Sequence, residues 1–273
     1  MSGKLYVVGT PIGNLGDFSE RAKETLSAVD FIAAEDTRVT LKLLNKFGIK
    51  KPMISYHEHN KQVRHREIAD KILSGQNCAL VTDAGMPAIS DPGEDLVKLC
   101  HNENIKVESV PGPSAVITAL AISGFPSGRF CFEGFLSVNK ISRKNHLSEV
   151  KDETRTLIFY EAPHKLPATL KDMLAAFGDR EIALIKELTK LHENVEITTL
   201  KSAAEKYSAE PPKGEYVLII KGKEPEKAED IPLEKAIQMA KGLLSEGLSA
   251  SAAAKKAAEF SGHKKGEIYK GLI

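Results

Sequence analysis

Short apolar runs alternate with stretches whose apolar residues recur every three or four positions, and the alternation extends through most of the chain. Residues 4–8, 31–34, 52–56, 78–82 and 106–110 read as strands of the first half. Between them Phe18, Ala22, Leu26 and Val29 recur at helical spacing, as do Ile68, Ala69, Ile72 and Leu73. This is the pattern of an α/β sheet with helices packed on it.

The pattern restarts after Val110-Pro111-Gly112-Pro113. Ser114 is placed to cap a very apolar helix over 115–122. A second set of strands follows at 130–135, 156–160, 182–186, 195–199 and 216–221, with Leu166, Leu170, Met173 and Phe177 on one helical face between two of them. The expected organisation is two α/β domains, 1–114 and 115–224. Residues 223–230 are charged and contain Pro225, so they read as a linker. Beyond it, Leu233, Ile237, Ala240 and Leu244 form an amphipathic helix. Ser249 caps a second helix over 250–260 that Gly262 ends, and a third covers 265–272. Residues 231–273 hold seven lysines against four glutamates, which makes them a small basic tail of helix-turn-helix type.

Composition narrows the class. The 273 residues are 42% hydrophobic and 27% charged, enough for two domains each with its own core. A net charge of +1 excludes a globally basic nucleic-acid binder and leaves room for local basic patches. Cys78, Cys100 and Cys131 are single and widely spaced, a usage that suits reduced thiols rather than disulfides or a zinc site. Neither a signal peptide nor an apolar run of membrane length is present, so a soluble cytoplasmic protein is expected.

Three turns that follow strands carry the candidate chemistry. In LVTDAGMPAISDPG (80–93) an apolar strand runs into small residues, two prolines and two glycines, then into a helical pattern. Gly85 permits close backbone approach, and Pro87 and Pro92 fix the path without adding donors. Such a wall suits a nucleoside with an amino-acid tail rather than a polyphosphate. VGTPIGNL (8–15) lacks the dinucleotide glycine spacing, and Pro11 removes an amide that a phosphate cradle would use; alone it is a tight turn. The third turn is VPGPSA (110–115).

Charged groups admit two readings each. Glu35-Asp36-Thr37-Arg38 is either a loop ion pair or an arginine set for a phosphate or carboxylate. Glu161, His164, Lys186, Glu187, His192 and Glu193 follow strands at one sheet edge. They form either a solvated rim or a cluster offering both a base and a cation for an oxyanion. His57-Glu58-His59 has no third or fourth ligand at suitable spacing, so metal is rejected. The runs Lys61, Arg64, His65, Arg66 and Lys140, Arg143, Lys144 are solvated surfaces or RNA contacts.

Read in order, VGTPIGNLGD (8–17), AAEDTR (33–38), SYHEHN (55–60), VTDAGMPAISDPG (81–93), VPGPSA (110–115), FEGFL (132–136), YEAPH (160–164), KELTKLHE (186–193) and KGEYVLII (213–220) resemble the tetrapyrrole-methylase superfamily of S-adenosylmethionine-dependent methyltransferases. Within it they resemble the ribosomal branch. The match covers about the first 222 residues, and the helical tail is similar to one found on these enzymes. The resemblance implies two α/β domains with the donor folded in the cleft between them, usually a homodimer, and no metal. It implies 2′-O-methylation of a cytidine ribose in 16S rRNA of the small ribosomal subunit, near the decoding centre. Donor contacts are implied at Pro11, at Gly85, Met86, Pro87 and Ile89, at Ser114 and Ala115, and at Phe135, Leu136, Leu188 and Gly214. Porphyrin-modifying relatives commonly carry an aspartate where Met86 stands, which favours the ribosomal branch.

For the chemistry, Glu161, Glu187 and His192 are candidate bases, and Lys186 can stabilise the developing oxyanion. Arg38, Arg64, Arg143 and the tail lysines, Lys255 and Lys256 among them, are candidates for the rRNA backbone. Two other readings stay open at this point: a methyltransferase for a tetrapyrrole-like small molecule, and a non-catalytic rRNA-binding assembly factor on a retired methylase scaffold.

Overall fold

In the computed structural model, which describes residues 2–224 and 231–273, the apolar runs become two five-stranded sheets. The linker expected over 223–230 lies, past Glu224, outside the described residues. The chain divides into two compact units, Met1–Lys223 and Glu224–Ile273.

The first sheet is built from β1 (Lys4–Val8), α1 (Glu20–Ala28), β2 (Phe31–Ala34), α2 (Thr37–Lys46), β3 (Met53–Ser55), α3 (Lys61–Leu73), β4 (Cys78–Val81), α4 (Glu94–Asn102) and β5 (Lys106–Val110). Its order is β3-β2-β4-β1-β5 with every neighbouring pair parallel. Parallel strands need helical cover on both faces, and every residue of β2 and β4 is buried. Strand alternation divides the cover. Leu5, Ala33 and Leu80 pack on Ile68, Ile72 and Leu96, whereas Val8, Ile32 and Ala79 pack on Ala22, Leu26 and Leu44. Each such leucine or isoleucine taken from water is worth about 1.5–3 kcal/mol. β4, β1 and β5 are neighbours, so the turns leaving them emerge side by side at one edge.

The second sheet follows α5 (Ala115–Ser123) and comprises β6 (Phe130–Phe135), α6 (Lys140–Glu149), β7 (Thr156–Glu161), α7 (Leu166–Phe177), β8 (Glu181–Lys186), β9 (Asn194–Thr199), α8 (Leu200–Ala209) and β10 (Tyr216–Ile220). Its order is β6-β7-β10-β8-β9, with β6 and β7 parallel and the other pairs antiparallel. Because β10 runs against both neighbours, its first residue, Tyr216, stands opposite Glu161 and Lys186 at the ends of β7 and β8. α5 covers one face through Val116, Ala119 and Leu120, and α6, α7 and α8 cover the other through Leu147, Leu170, Met173 and Leu200.

Ser114 holds the N-cap position of α5, but its hydroxyl makes no capping bond. In the tail the expected caps form. In α10 (Ala250–Ser261), which follows α9 (Leu233–Ser245) and precedes α11 (Lys265–Lys270), Ser249 accepts from the Ala252 amide at 3.3 Å and Gly262 closes the helix at φ 73°. The tail core is Ala236, Ala240, Ala254, Ala257 and Ile268. The expected stripe of α9 is met in part: Ala240 is fully buried and Ile237 packs against this core, whereas Leu233 is 37% exposed. All three cysteines are free thiols, and burial raises the pKa of Cys78 and Cys100. Among the described residues no helix is long and apolar enough to cross a membrane, and no group of three or more His, Cys, Asp and Glu is placed to hold a metal ion.

Candidate active site

The three special turns meet. Gly9 lies against Gly112 so closely that a Cβ on Gly112 would stand 2.8 Å from the Gly9 Cα. Thr10 and Gly85 exchange backbone hydrogen bonds at 2.9 and 3.1 Å, and the Thr10 hydroxyl donates to the Thr82 carbonyl at 3.1 Å. The β1 turn also touches the loop after β8, since a Cβ on Gly13 would meet Lys190 Cγ at 2.6 Å. Between these loops opens a cavity of about 450 Å³. Ile12, Gly85, Met86 and Ile89 line it from the first sheet, and Phe135, Tyr160, Ile185, Leu188 and Val217 from the second. Ser114 and Ala115 line it from the start of α5.

The charge of this lining is one-sided. Glu35, Asp83, Asp91, Glu161 and Glu215 are its ionisable acidic residues, and among the described residues that line the cavity there is no lysine, arginine or histidine. Glu35 accepts the Thr82 hydroxyl at 2.5 Å and the Asp83 amide at 3.2 Å. Burial, reinforced by Glu35 and Asp83, pushes the Asp91 carboxyl up to about 6. Burial likewise takes Tyr160 up to about 12, with the Val116 amide of α5 directed at its hydroxyl. A low-dielectric wall of carboxyls attracts a cation and repels anions. The apolar walls, the acidic rim and the uncapped start of α5 therefore fit a nucleoside joined to a sulfonium and an amino acid. Gly85, Met86, Ile89, Ser114, Ala115, Phe135 and Leu188 would hold S-adenosylmethionine there.

Several residues expected at the site lie elsewhere. Ile12, not Pro11, reaches the cavity, and Pro87 is buried beneath its loop. Leu136 belongs to the core with Leu147 and Phe159, because alternation turns it away from Phe135. The same alternation places Ile185 in the wall and leaves Lys186 out of the lining. Gly214 makes room for Glu187, whose Cγ would stand 2.6 Å from a Cβ there. His192 and His164 are exposed and outside the lining, and Glu193 accepts the Thr189 amide at 2.6 Å. Glu161 does line the cavity, yet it is 2% exposed and accepts from the Ala162 amide at 2.8 Å and the Thr169 hydroxyl at 2.5 Å.

Glu187 is a latch. It adopts φ 52° and Thr189 φ 64°, a strained pair that turns Leu188 into the cavity wall. Its carboxylate accepts from the Glu215 amide at 2.9 Å and from Lys190 Nζ at 3.0 Å. These bonds, the Glu215 amide first, lower its pKa. A depressed folded pKa gives stability that is present above the unfolded glutamate value of about 4.3 and lost as pH falls through the folded value. Glu187→Gln is accordingly expected to lower the melting temperature by a few degrees at pH 7, with donor affinity and turnover falling only modestly as the Leu188 wall loosens. The difference from wild type should close below about pH 4 in melts taken across pH. A collapse of turnover with unchanged stability would instead make Glu187 part of the chemistry.

The expected RNA contacts separate in the same way. Arg143 is corrected from surface to scaffold: its side chain is 12% exposed and pairs with Asp172 at 2.7 Å. It also donates to the Ser137 and Val138 carbonyls, which fixes the turn after β6. Arg38 is 86% exposed and pairs with Asp36 at 2.6 Å, an ion pair weak enough to open for a phosphate. Arg64 pairs with Glu67. Lys255 and Lys256 are exposed on α10.

The sequence pattern marks Glu35 only as part of a charged loop, and gives no sign that Asp83, Asp91, Tyr160 and Glu215 belong to the site. Asp83 and Asp91 stand inside the glycine-proline turn, whose backbone constraints are a stronger local signal than its carboxyls. Glu215 depends on the antiparallel direction of β10, for which no local signal exists.

The tetrapyrrole (corrin/porphyrin) methylase family matches residues 4–204. A protein of Synechocystis sp. named ribosomal RNA small subunit methyltransferase I is 46% identical over 98% of this chain and 96% of its own length. The Thermotoga maritima protein of that name is 48% identical over 81% of this chain and 100% of its own. Among solved structures, uroporphyrin-III C-methyltransferase from Thermus thermophilus, complexed with S-adenyl homocysteine, superposes with a TM-score of 0.56 at 18% identity, covering 80% of this chain and 97% of that one. The last likeness establishes a shared fold. This chain belongs to the tetrapyrrole (corrin/porphyrin) methylase family, in the group whose curated members are called ribosomal RNA small subunit methyltransferase I.

Proposed function

We propose that this protein transfers the methyl group of S-adenosylmethionine to the 2′-oxygen of a cytidine ribose in small-subunit (16S) rRNA near the decoding centre. The acid-lined cavity, with no basic group among the described residues that line it, carries the reading. It suits a cationic donor and opposes the carboxylate-rich periphery of a tetrapyrrole. RNA phosphates are repelled as well, so the backbone stays outside on exposed cations such as Arg38 and a ribose alone enters. A splayed single-stranded nucleotide meets that geometry.

Bound S-adenosylmethionine supplies an electrophilic methyl group on its sulfonium. The chain's own share is alignment. The Thr10–Gly85 pair and the Gly9–Gly112 contact fix one wall. The Glu187 latch fixes the other through Leu188, so both reactants meet in one shaped cavity. Calorimetry on the isolated protein tests the assignment: S-adenosylmethionine should bind and a polycarboxylate tetrapyrrole should not. Absence of donor binding, with and without RNA, would favour a non-catalytic scaffold.

The two sheets act as separate domains about the turn at Pro113-Ser114, in a cytoplasmic homodimer. Ile117 and Ile122 on α5 and Ile197 on β9, each at least 41% exposed, support such an interface. The tail adds affinity for RNA rather than chemistry. The Thermotoga relative bears the same name although about a fifth of this chain, a share equal to the tail's, has no counterpart in it. Deleting residues 231–273 is expected to leave donor binding unchanged and to weaken rRNA binding. The slope of log K against log salt should shrink by about one for each lysine that no longer meets a phosphate. An unchanged slope across several salt concentrations would remove the tail from the RNA interface.

A further inference from the structure

Methylation of a ribose hydroxyl calls for a group that takes its proton, and four of the cavity's carboxyls are already engaged. Glu161 is bonded twice, Glu35 holds the Thr82 hydroxyl and the Asp83 amide, Asp83 accepts the Asp36 amide at 3.1 Å, and Glu215 pairs with Lys190 at 2.7 Å. Asp91 differs. Among the described residues no amide or cation is aimed at its carboxyl, which meets the Thr82 hydroxyl instead. The loop that carries it is folded back on the end of β4. Ala88 adopts φ 64° and Gly93 φ 154°, and a Cβ on Gly93 would stand 2.9 Å from both Leu80 and Ala88 side chains. That fold leaves Asp91 half-buried in the cavity lining.

We propose that Asp91 is the catalytic base of this site, its carboxylate receiving the proton of the ribose 2′-hydroxyl. The inference rests on the 2′-O-methylation reading above. As the 2′-oxygen forms its bond to the methyl carbon, the carbon–sulfur bond breaks, its electron pair stays on sulfur, and the proton passes to Asp91. A carboxyl titrating at about 6 is ionised at neutral pH and is a stronger base than an ordinary aspartate near 3.9. The groups facing it are Thr82, Glu35, Asp83 and, across the cavity, Tyr160, with Glu161 and Glu215 further along the lining, so among the described residues no cation faces its anion. The Thr82 hydroxyl stands between Glu35, to which it donates at 2.5 Å, and Asp91, whose ionised form it favours.

Asp91→Asn keeps the shape and removes the base. With small ribosomal subunits as substrate, kcat is expected to fall about 10²–10³-fold, while the donor dissociation constant changes less than about tenfold. In wild type, kcat/KM for the donor should rise with pH and level off above about 6; the variant should lose that shoulder, and Asp91→Glu should recover part of the rate. Carbon-13 NMR of the protein alone should show the Asp91 carboxyl titrating near the same pH. A purely structural Asp91 would lower melting temperature, donor affinity and rate together and keep the low-pH limb, which overturns the proposal. So does an unaltered rate in a variant whose wild-type parent forms 2′-O-methylcytidine. If wild type forms no such product, the functional reading itself fails, and the base assignment falls with it.

Discussion

Gly112→Val is expected to abolish donor binding and to lower the melting temperature by roughly 6–12 °C, the equivalent of about 3 kcal/mol of overpacking in a unit of this size. The first added carbon alone would stand 2.8 Å from the Gly9 Cα and 2.9 Å from its carbonyl carbon and oxygen. All three are backbone atoms, so no flexible side chain can yield. The β1 turn must move, and it carries Thr10, whose backbone pair with Gly85 shapes the cavity wall. Gly128→Val is the control, because a Cβ there meets nothing within 4 Å. Differential scanning calorimetry and donor titration of both variants decide the matter. Equal, small effects would show that the two turns do not support each other as described.

The second large effect concerns charge. Ala115 lines the cavity at the first position of α5, in a lining that holds acidic residues and, among the described residues, no cation. Ala115→Gln and Ala115→Lys add similar bulk, so their difference isolates the charge. Two like charges a few ångströms apart at an effective dielectric of about 20 repel by about 2–4 kcal/mol. The lysine variant is therefore expected to bind S-adenosylmethionine at least 30-fold more weakly than the glutamine variant. Equal affinities in isothermal titration would mean that the acidic lining does not select the donor's positive charge.

These two variants also show what the residue pattern could and could not reveal. Strands buried on both faces announce themselves as continuous apolar runs, and β2 and β4 occupy the expected stretches to within a residue. The glycine-proline turns were legible because their residues admit few backbone paths, and all three meet at the cavity. Which side chains face that cavity was harder. Phe135 and Leu136, or Ile185 and Lys186, are adjacent in sequence and divided by strand alternation, whose phase depends on tertiary packing. Glu187 looked like chemistry because it is charged and follows a strand. Its role depends on contacts with Gly214 and Glu215, which β10 delivers only by running antiparallel. Arg143 looked like surface until Asp172, from the neighbouring helix, covered it.

The most direct measurement is methyl transfer from labelled S-adenosylmethionine to small ribosomal subunits lacking the modification, followed by nuclease and alkali digestion. Label is predicted in a single alkali-resistant dinucleotide that yields 2′-O-methylcytidine. Label on a base, or label in a tetrapyrrole with none in the RNA, would contradict the proposed reaction.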